Sequence, residues 1–296
     1  MKILLSLEFW RVCAVCSSDD LVFGESVFAP FFAARAFSVE PVVIARDEFR
    51  DLKAGVSYFP AGTLFCKSCG SMTCSARPNH DSMVRYYSGY QQEEFLEMRM
   101  HYEPSFKSRF LGRVSPNTLR KHGEKVTYTR KLEDFIQNHC EIPPKRILDI
   151  GGGSGANTPF NMSADVEILE IDDEIGSRAT EVKSEYDLVT LLNVLEHVRN
   201  PIDLLEKAKR YCNREDSYIF VEVPLEGIMI GLTDVNAAVR KKKIWTEHIN
   251  FFSKNGLEVC LNRAGFDLVA PIELLEISDG DTSDLDKSFV MLALAK

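Results

Sequence analysis

The run Arg146-Ile147-Leu148-Asp149-Ile150 leads straight into Gly151-Gly152-Gly153-Ser154-Gly155. No other feature limits the possible folds so sharply. An apolar strand that ends in such a loop lets main chain approach a ligand where a Cβ would intrude. Pro143-Pro144 marks the break before it. The pattern predicts a helix starting at Ala156-Asn157 and a second strand over 166–171, with Glu170 near its end. Strand, glycine loop, helix and strand make a βαβ nucleotide-binding unit. Glu170 lies 21 residues beyond Asp149, the interval at which an acidic side chain meets both hydroxyls of a ribose.

Gly151, Gly153 and Ala156 also satisfy the dinucleotide pattern G-x-G-x-x-G/A, so an NAD-dependent enzyme is one reading. Asp149 argues against it. A carboxylate at the end of the first strand is unfavourable beside a pyrophosphate and suits a ligand carrying an ammonium and a sulfonium. Downstream, a strand begins at Tyr186, and Leu195-Glu196-His197-Val198-Arg199-Asn200-Pro201 follows it. Asn200 as a cap with Pro201 in the first helical position opens a helix that runs to about Cys212. Further strands are expected over 217–224, 266–277 and 288–295, the last two joined by a turn over 279–287.

Taken in order, D-I-G-G-G-S-G, the acidic end of the second strand, V-L-E-H-V-R-N-P and Y-I-F-V-E-V-P resemble the class I S-adenosylmethionine-dependent methyltransferases over 141–296. The resemblance implies a Rossmann-like α/β fold: a mostly parallel sheet with helices on both faces and a C-terminal antiparallel hairpin. It places Asp149, Gly151, Gly153 and Gly155 around the methionine part of the cofactor, Glu170 on its ribose and Asn193 nearby. It leaves little room between Asp172 and Tyr186 for the usual third strand, so the adenine-contacting acidic residue is not assigned.

The N-terminal part carries a different signal. Four of the eight cysteines form two pairs, Cys13-x-x-Cys16 and Cys66-x-x-Cys69, with 49 residues between them. Each pair sets two thiolates on one ion, and two pairs complete a tetrahedral all-sulfur site suited to structural zinc. A redox dithiol is the alternative; Cys74 reads as a bystander. The apolar run 27–37 and a strand over 41–44 lie between the pairs. Tyr86, Tyr87 and Tyr90 read as core, and helices are expected over 91–101 and, with breaks, 115–140. The chain thus divides into a small zinc-binding module at 1–85, a helical connecting region at 86–140 and the cofactor-binding domain at 141–296.

Trp245-Thr246-Glu247-His248-Ile249-Asn250-Phe251-Phe252-Ser253 follows the strand ending at Pro224. It is similar to a segment of sugar C-methyltransferases, which also carry a four-cysteine zinc module and a Tyr-His-Glu-His stretch before a Phe-Ser pair. The resemblance makes His248 the general base that takes a proton from a carbon next to a keto group. Trp245 stands where those enzymes have tyrosine and cannot serve as an acid. His197 reads as a cap or packing residue near the cofactor, with a catalytic role as the alternative. The expected acceptor is a small molecule such as a nucleotide-linked sugar, methylated at carbon or oxygen in polysaccharide or natural-product synthesis.

Charge and hydropathy narrow the field. With 35 Lys and Arg against 44 Asp and Glu, the net charge of -9 gives no general attraction for nucleic acid. The basic stretches 107–131 and Lys241-Lys242-Lys243 read as solvated surface. No apolar run reaches the ~20 residues of a membrane span. The apolar start is interrupted by Glu8, so a cytoplasmic location with reduced thiols is expected. The remaining alternative is a non-catalytic binding scaffold that keeps the methyltransferase fold.

Overall fold

The computed structural model describes residues 7–39, 58–90, 92–103, 122–140, 142–171, 186–212, 216–276 and 287–295. The expected strand over 41–44, the start of the basic stretch 107–131, most of the 172–186 interval and most of the 279–287 turn lie outside them.

Short strands build the N-terminal part: β1 Leu7–Phe9, β2 Leu21–Gly24, β3 Val27–Phe28, β4 Thr63–Cys66, β5 Met72–Cys74 and β6 Ala76–Pro78. Three helices join them, α1 Pro30–Phe37, α2 His80–Tyr87 and α3 Glu93–Tyr102. Pro30 fits the first turn of α1, where its missing N–H costs nothing, and Asn79 caps α2 by accepting from Ser82 N. Phe28, Phe31, Phe32, Phe37, Tyr86 and Phe95 close the core between them, with Phe28 stacked on Phe32 at 4.9 Å and Phe31 edge-on to Phe95 at 5.0 Å. Burial of each such ring contributes roughly 2–3 kcal/mol.

The second half holds α4 His122–His139, β7 Arg146–Ile150, β8 Asp165–Leu169, β9 Leu188–Leu192, α5 Pro201–Lys209 and β10 Tyr218–Pro224. It continues with α6 Val235–Lys241, β11 Ile244–Trp245, β12 Asn250–Phe251, α7 Lys254–Arg263, β13 Phe266–Leu268, β14 Glu273–Glu276 and β15 Lys287–Ala295. The main sheet runs β13-β15-β10-β9-β7-β8. β8, β7, β9 and β10 are parallel; β15 lies antiparallel to β10 and pairs on its far side with β13 and β14.

Strand alternation gives this sheet two apolar faces. Leu148, Val189, Val221 and Met291 face one core with Leu204 and Leu205 of α5 and Leu257 and Leu261 of α7. Ile147, Leu188, Phe220 and Leu292 face the other with Leu132, Phe135 and Ile136 of α4. Helices therefore cover both faces, which is what a buried parallel sheet requires.

Three expectations need correction. No helix follows the glycine loop: residues 151–163 are turns. Gly155 and Pro159 weaken helix there, and Phe160 sits at a φ of 58°, outside helical space. The strand expected over 266–277 is two strands, β13 and β14, with Pro271 in the gap, where it has no N–H for a ladder. Lys242 is not solvated surface, because its Nζ lies 4.3 Å from the ring centres of both Trp245 and Phe251. Burial lowers its ammonium to about 8.

The two halves share their sheets. β12 pairs with β5 at the edge of the four-stranded sheet β12-β5-β4-β2, and β11 pairs with β3. Trp245 is fully buried in this joint and donates from Nε1 to Thr63 Oγ1 at 2.9 Å. No helix among the described residues is long and apolar enough to cross a membrane.

Candidate active site

The glycine loop leaves the carboxyl end of β7 with Gly151, Gly153 and Gly155 at φ values of 77°, 57° and 71°. These lie in the left-handed region that side chains avoid. Nothing lies within 4 Å of where a Cβ on Gly153 would stand, so at that residue the loop presents bare main chain to open space. Gly152 matters for a different reason: a Cβ there would fall 2.3 Å from Asp149 Oδ2.

Asp149 is 1% exposed and faces this loop from β7. Thr190 Oγ1 donates to its Oδ1 at 2.8 Å and Thr158 Oγ1 to its Oδ2 at 2.5 Å. Burial lifts the carboxyl to about 6, although both hydrogen bonds favour the charged form. Glu170 follows β8 directly and is exposed. Asn193 follows β9 with a φ of 54°, exposes its side chain and donates its main-chain N–H to Glu222 O at 3.0 Å. All three sit at carboxyl ends of parallel strands, where open α/β sheets bind ligands.

Beyond Asn193 the chain turns through Glu196 and His197 and meets the segment between β11 and β12. His197 and His248 stand edge to face, ring centres 4.6 Å apart. His197 Nδ1 lies 3.1 Å from Glu247 O, and His248 Nδ1 lies 2.5 Å from Glu226 Oε1. An ionised carboxylate only accepts, so the proton of that bond belongs to His248 Nδ1. Burial disfavours charge on His248, but Glu226, Glu196 and Glu247 outweigh it and hold the imidazole near 9. Burial, aided by His248, lowers His197 to about 3. Burial alone dominates at Glu196 and pushes it to about 8.

The N-terminal helices close the other side. Tyr86 of α2 donates its hydroxyl to Glu247, and Arg99 of α3 pairs with Glu103 at 3.2 Å and with Glu247 at 3.5 Å. Burial opposes the charge of Glu247, yet Arg99, the Tyr86 hydroxyl and His248 keep it below the ordinary carboxylate value. Tyr86 is fully buried core with a polar tip, and Tyr87 packs edge-on to His197 at 6.0 Å.

Sequence reasoning misses Thr158, Thr190, Glu226, Tyr86 and Arg99 as members of these sites. Only Glu247 carried a signal, lying directly before His248 in the Trp-Thr-Glu-His segment. His197 packs against His248, as a packing residue would, and caps no helix among the described residues.

The four paired cysteines converge across β2, β4 and β5. Cys13 Sγ lies 3.7 Å from Cys69 Sγ and Cys16 Sγ 3.4 Å from Cys66 Sγ, and all four sulfurs fall within 4.8 Å of one another. Zn–S bonds of ~2.3 Å in a tetrahedron require sulfurs about 3.8 Å apart, so the donor set fits zinc. Cys74 is buried outside the cluster. The second pair leans on α7: Ser253 Oγ donates to Cys69 O at 2.5 Å and accepts from Gly256 N at 2.8 Å.

A family model described as a methyltransferase domain matches residues 120–270. The chain belongs to the methyltransferase domain family. It is a methyltransferase built on a Rossmann-like sheet, with a four-cysteine cluster near its N-terminus. Several solved structures are similar to this methyltransferase. The glycopeptide N-methyltransferase MtfA complexed with S-adenosyl-L-methionine is 12% identical with a TM-score of 0.41, over 57% of this chain and 94% of that one. The magnesium protoporphyrin IX methyltransferase ChlM of Synechocystis PCC 6803 with bound SAH is 11% identical at 0.41, over 68% and 99%. The N-terminal domain of EvdMO1 with SAH bound is 17% identical at 0.35, over 57% and 81%. None of the curated proteins matches the sequence.

Proposed function

We propose that this methyltransferase modifies a small-molecule acceptor, a nucleotide-linked sugar, held where His248 and His197 face the carboxyl ends of β9 and β10. The observation that carries this reading is the His248–Glu226 pair at 2.5 Å beside the glycine-loop face of the sheet. S-adenosylmethionine supplies the electrophilic methyl group on its sulfonium. Asp149 receives the positive methionine end through the main-chain cradle of Gly151, Gly153 and Gly155. Glu170 accepts from both ribose hydroxyls, and Asn193 lines the cofactor's edge. His248, its Nδ1–H directed by Glu226, takes a proton from the acceptor at Nε2 in its neutral form, which prevails only above about pH 9, at a carbon beside a keto group or at a hydroxyl. Orientation of acceptor and methyl along one line supplies much of the remaining rate.

Zinc held by Cys13, Cys16, Cys66 and Cys69 has a structural part in this reading, since four thiolates leave no open position for chemistry. The division into 1–85, 86–140 and 141–296 assigns the cysteine cluster to the first segment and both proposed ligand sites chiefly to the last. The acidic net charge supports no nucleic-acid or membrane partner, and the free cysteines suit a cytoplasmic setting.

Calorimetric titration with S-adenosylhomocysteine, with NAD run in parallel, tests the cofactor half. Saturable binding that disappears in Glu170→Ala supports the reading; no binding to folded, zinc-loaded protein leaves a non-catalytic scaffold as the better account. Methyl transfer to sugar nucleotides by wild type but not by His248→Ala supports the acceptor half, and unchanged turnover in that variant removes His248 from the chemistry.

A further inference from the structure

Glu196 has no hydrogen-bonding reason to be where it is. Its side chain is 1% exposed, and neither carboxylate oxygen has a hydrogen-bond partner. Its carbonyl accepts from Ile249 N at 2.8 Å and Asn250 N at 3.0 Å, which fixes the residue in place beside β12. Burial keeps this carboxyl protonated, and ionising it calls for a cation against its oxygens. Arg99 is engaged with Glu103 and Glu247.

The two imidazoles beside it are arranged as ligands are. His197 Nδ1 is taken by Glu247 O and His248 Nδ1 by Glu226. Each ring is thus oriented by an oxygen behind it, the outer arrangement that fixes a metal-binding histidine and leaves Nε2 as the donor. His197 Nε2 lies 3.6 Å from Glu196 Oε1. One donor atom from each of Glu196, His197 and His248 falls within 4.8 Å of the others, a spacing that small side-chain rotations close onto one ion at about 2.1 Å.

We infer that Glu196, His197 and His248 form a binding site for one divalent first-row transition ion in the acceptor pocket. Two nitrogens and one carboxylate oxygen suit such ions, and three protein ligands leave positions open for oxygens of the acceptor. The inference deepens the proposed function and rests on it for the acceptor. It selects acceptors with two adjacent oxygens, a hydroxyl beside a keto group or a second hydroxyl, that chelate the ion. With the ion in place His248 would hold it in place of acting as the base; the ion would acidify the bound acceptor hydroxyl, whose proton passes to water, and the oxygen would take the methyl as the sulfonium C–S bond breaks.

The test uses the full zinc-loaded chain titrated with Mn²⁺ and followed by electron paramagnetic resonance, because Mn²⁺ prefers nitrogen and oxygen donors to the cysteine thiolates. The expected result is one bound Mn²⁺ per chain, with nitrogen couplings from two imidazoles in the wild-type spin-echo spectrum. Glu196→Gln should weaken that binding by about 100-fold while leaving S-adenosylhomocysteine binding intact. A spectrum of free aquo Mn²⁺ at millimolar concentration, absence of nitrogen coupling, or equal binding by Glu196→Gln overturns the site. Mn²⁺ binding without any S-adenosylhomocysteine binding upholds the site and sinks the proposed function instead.

Discussion

Arg77 donates from Nη2 to Asn250 Oδ1 at 2.7 Å, and Asn250 returns its own Nδ2 to Leu195 O and Val198 O at 2.9 and 2.8 Å. Arg77 also donates to Ile249 O at 3.1 Å and, from Nε, to Arg199 O at 3.0 Å. The guanidinium is fully buried, its neighbours are mainly carbonyls, and burial lowers it to about 10. Arg77 on β6 therefore grips one end of the loop that carries Glu196 and His197, and through Asn250 the other.

Arg77→Met is expected to destabilise the protein by about 3 kcal/mol, because it leaves several buried carbonyls without donors. Arg77→Lys should recover little, since an ammonium cannot match the planar fork. Urea unfolding of the three proteins checks this, and a loss below about 1 kcal/mol for Arg77→Met would show that water replaces the guanidinium.

Cofactor affinity should depend on pH through Asp149. Its folded carboxyl sits near 6, so below that pH a positively charged ligand must first displace a proton. Affinity for S-adenosylmethionine is expected to fall about tenfold per pH unit from about pH 6 downwards and to level off above it. The ligand-free protein shows the opposite slope. A carboxyl raised above its ordinary 3.8 contributes stability that is complete below that value and is lost as pH rises through about 6, on the order of 3 kcal/mol in all. Calorimetry and urea melts on wild type and Asp149→Asn across this range give both slopes; equal slopes in the two proteins would assign them to another group.

Gly152→Ala is expected to weaken cofactor binding by at least about tenfold, since the new methyl meets Asp149 Oδ2 at 2.3 Å and must push the carboxylate off Thr158. Gly153→Ala makes a useful comparison, because its methyl meets no protein atom and only backbone strain and the ligand oppose it. Titration of both variants with S-adenosylhomocysteine measures the difference.

Ser253→Ala should cost about 2 kcal/mol, more than an ordinary helix cap. It removes the acceptor for Gly256 N and also the hydroxyl bond to Cys69 O. If zinc holds the cluster, its removal by a chelator should erase the part of this cost that belongs to Cys69. Thermal unfolding of wild type and variant with and without chelator reads the coupling, and identical costs in both conditions would separate the cap from the cluster.

What could be read from the chain before its structure was local. The β7 strand with its glycines, the acidic end of β8, the Asn200-Pro201 helix start and the paired cysteines each occupy a few consecutive residues, and short-range stereochemistry dictates them. The links that shape the acceptor pocket are not local. Glu226 and His248 are 22 residues apart, Tyr86 and Glu247 are 161, and neither pair has a sequence signal beyond the residue types. The absent helix after Gly155 shows the opposite fault, in which a familiar unit overrode the plain disfavour of glycine and proline for helix. Lys242 misled because a run of three lysines looks solvated until the rings of Trp245 and Phe251, on the next two strands, close over one of them.

The pairing of Val27 with Ile244, and of Met72 with Phe251, bears on how the protein is made. Emerging from a ribosome, the N-terminal strands wait for their last partners until most of the polypeptide has been synthesised. Until then the aromatic core around Phe28 lacks Trp245 and the sheet edge at β5 stands open, a template for unwanted strand addition. Both cysteine pairs are complete at Cys69, well over half the chain before β11 and β12 are made, so an ion captured early would hold the nascent sheet together while it waits.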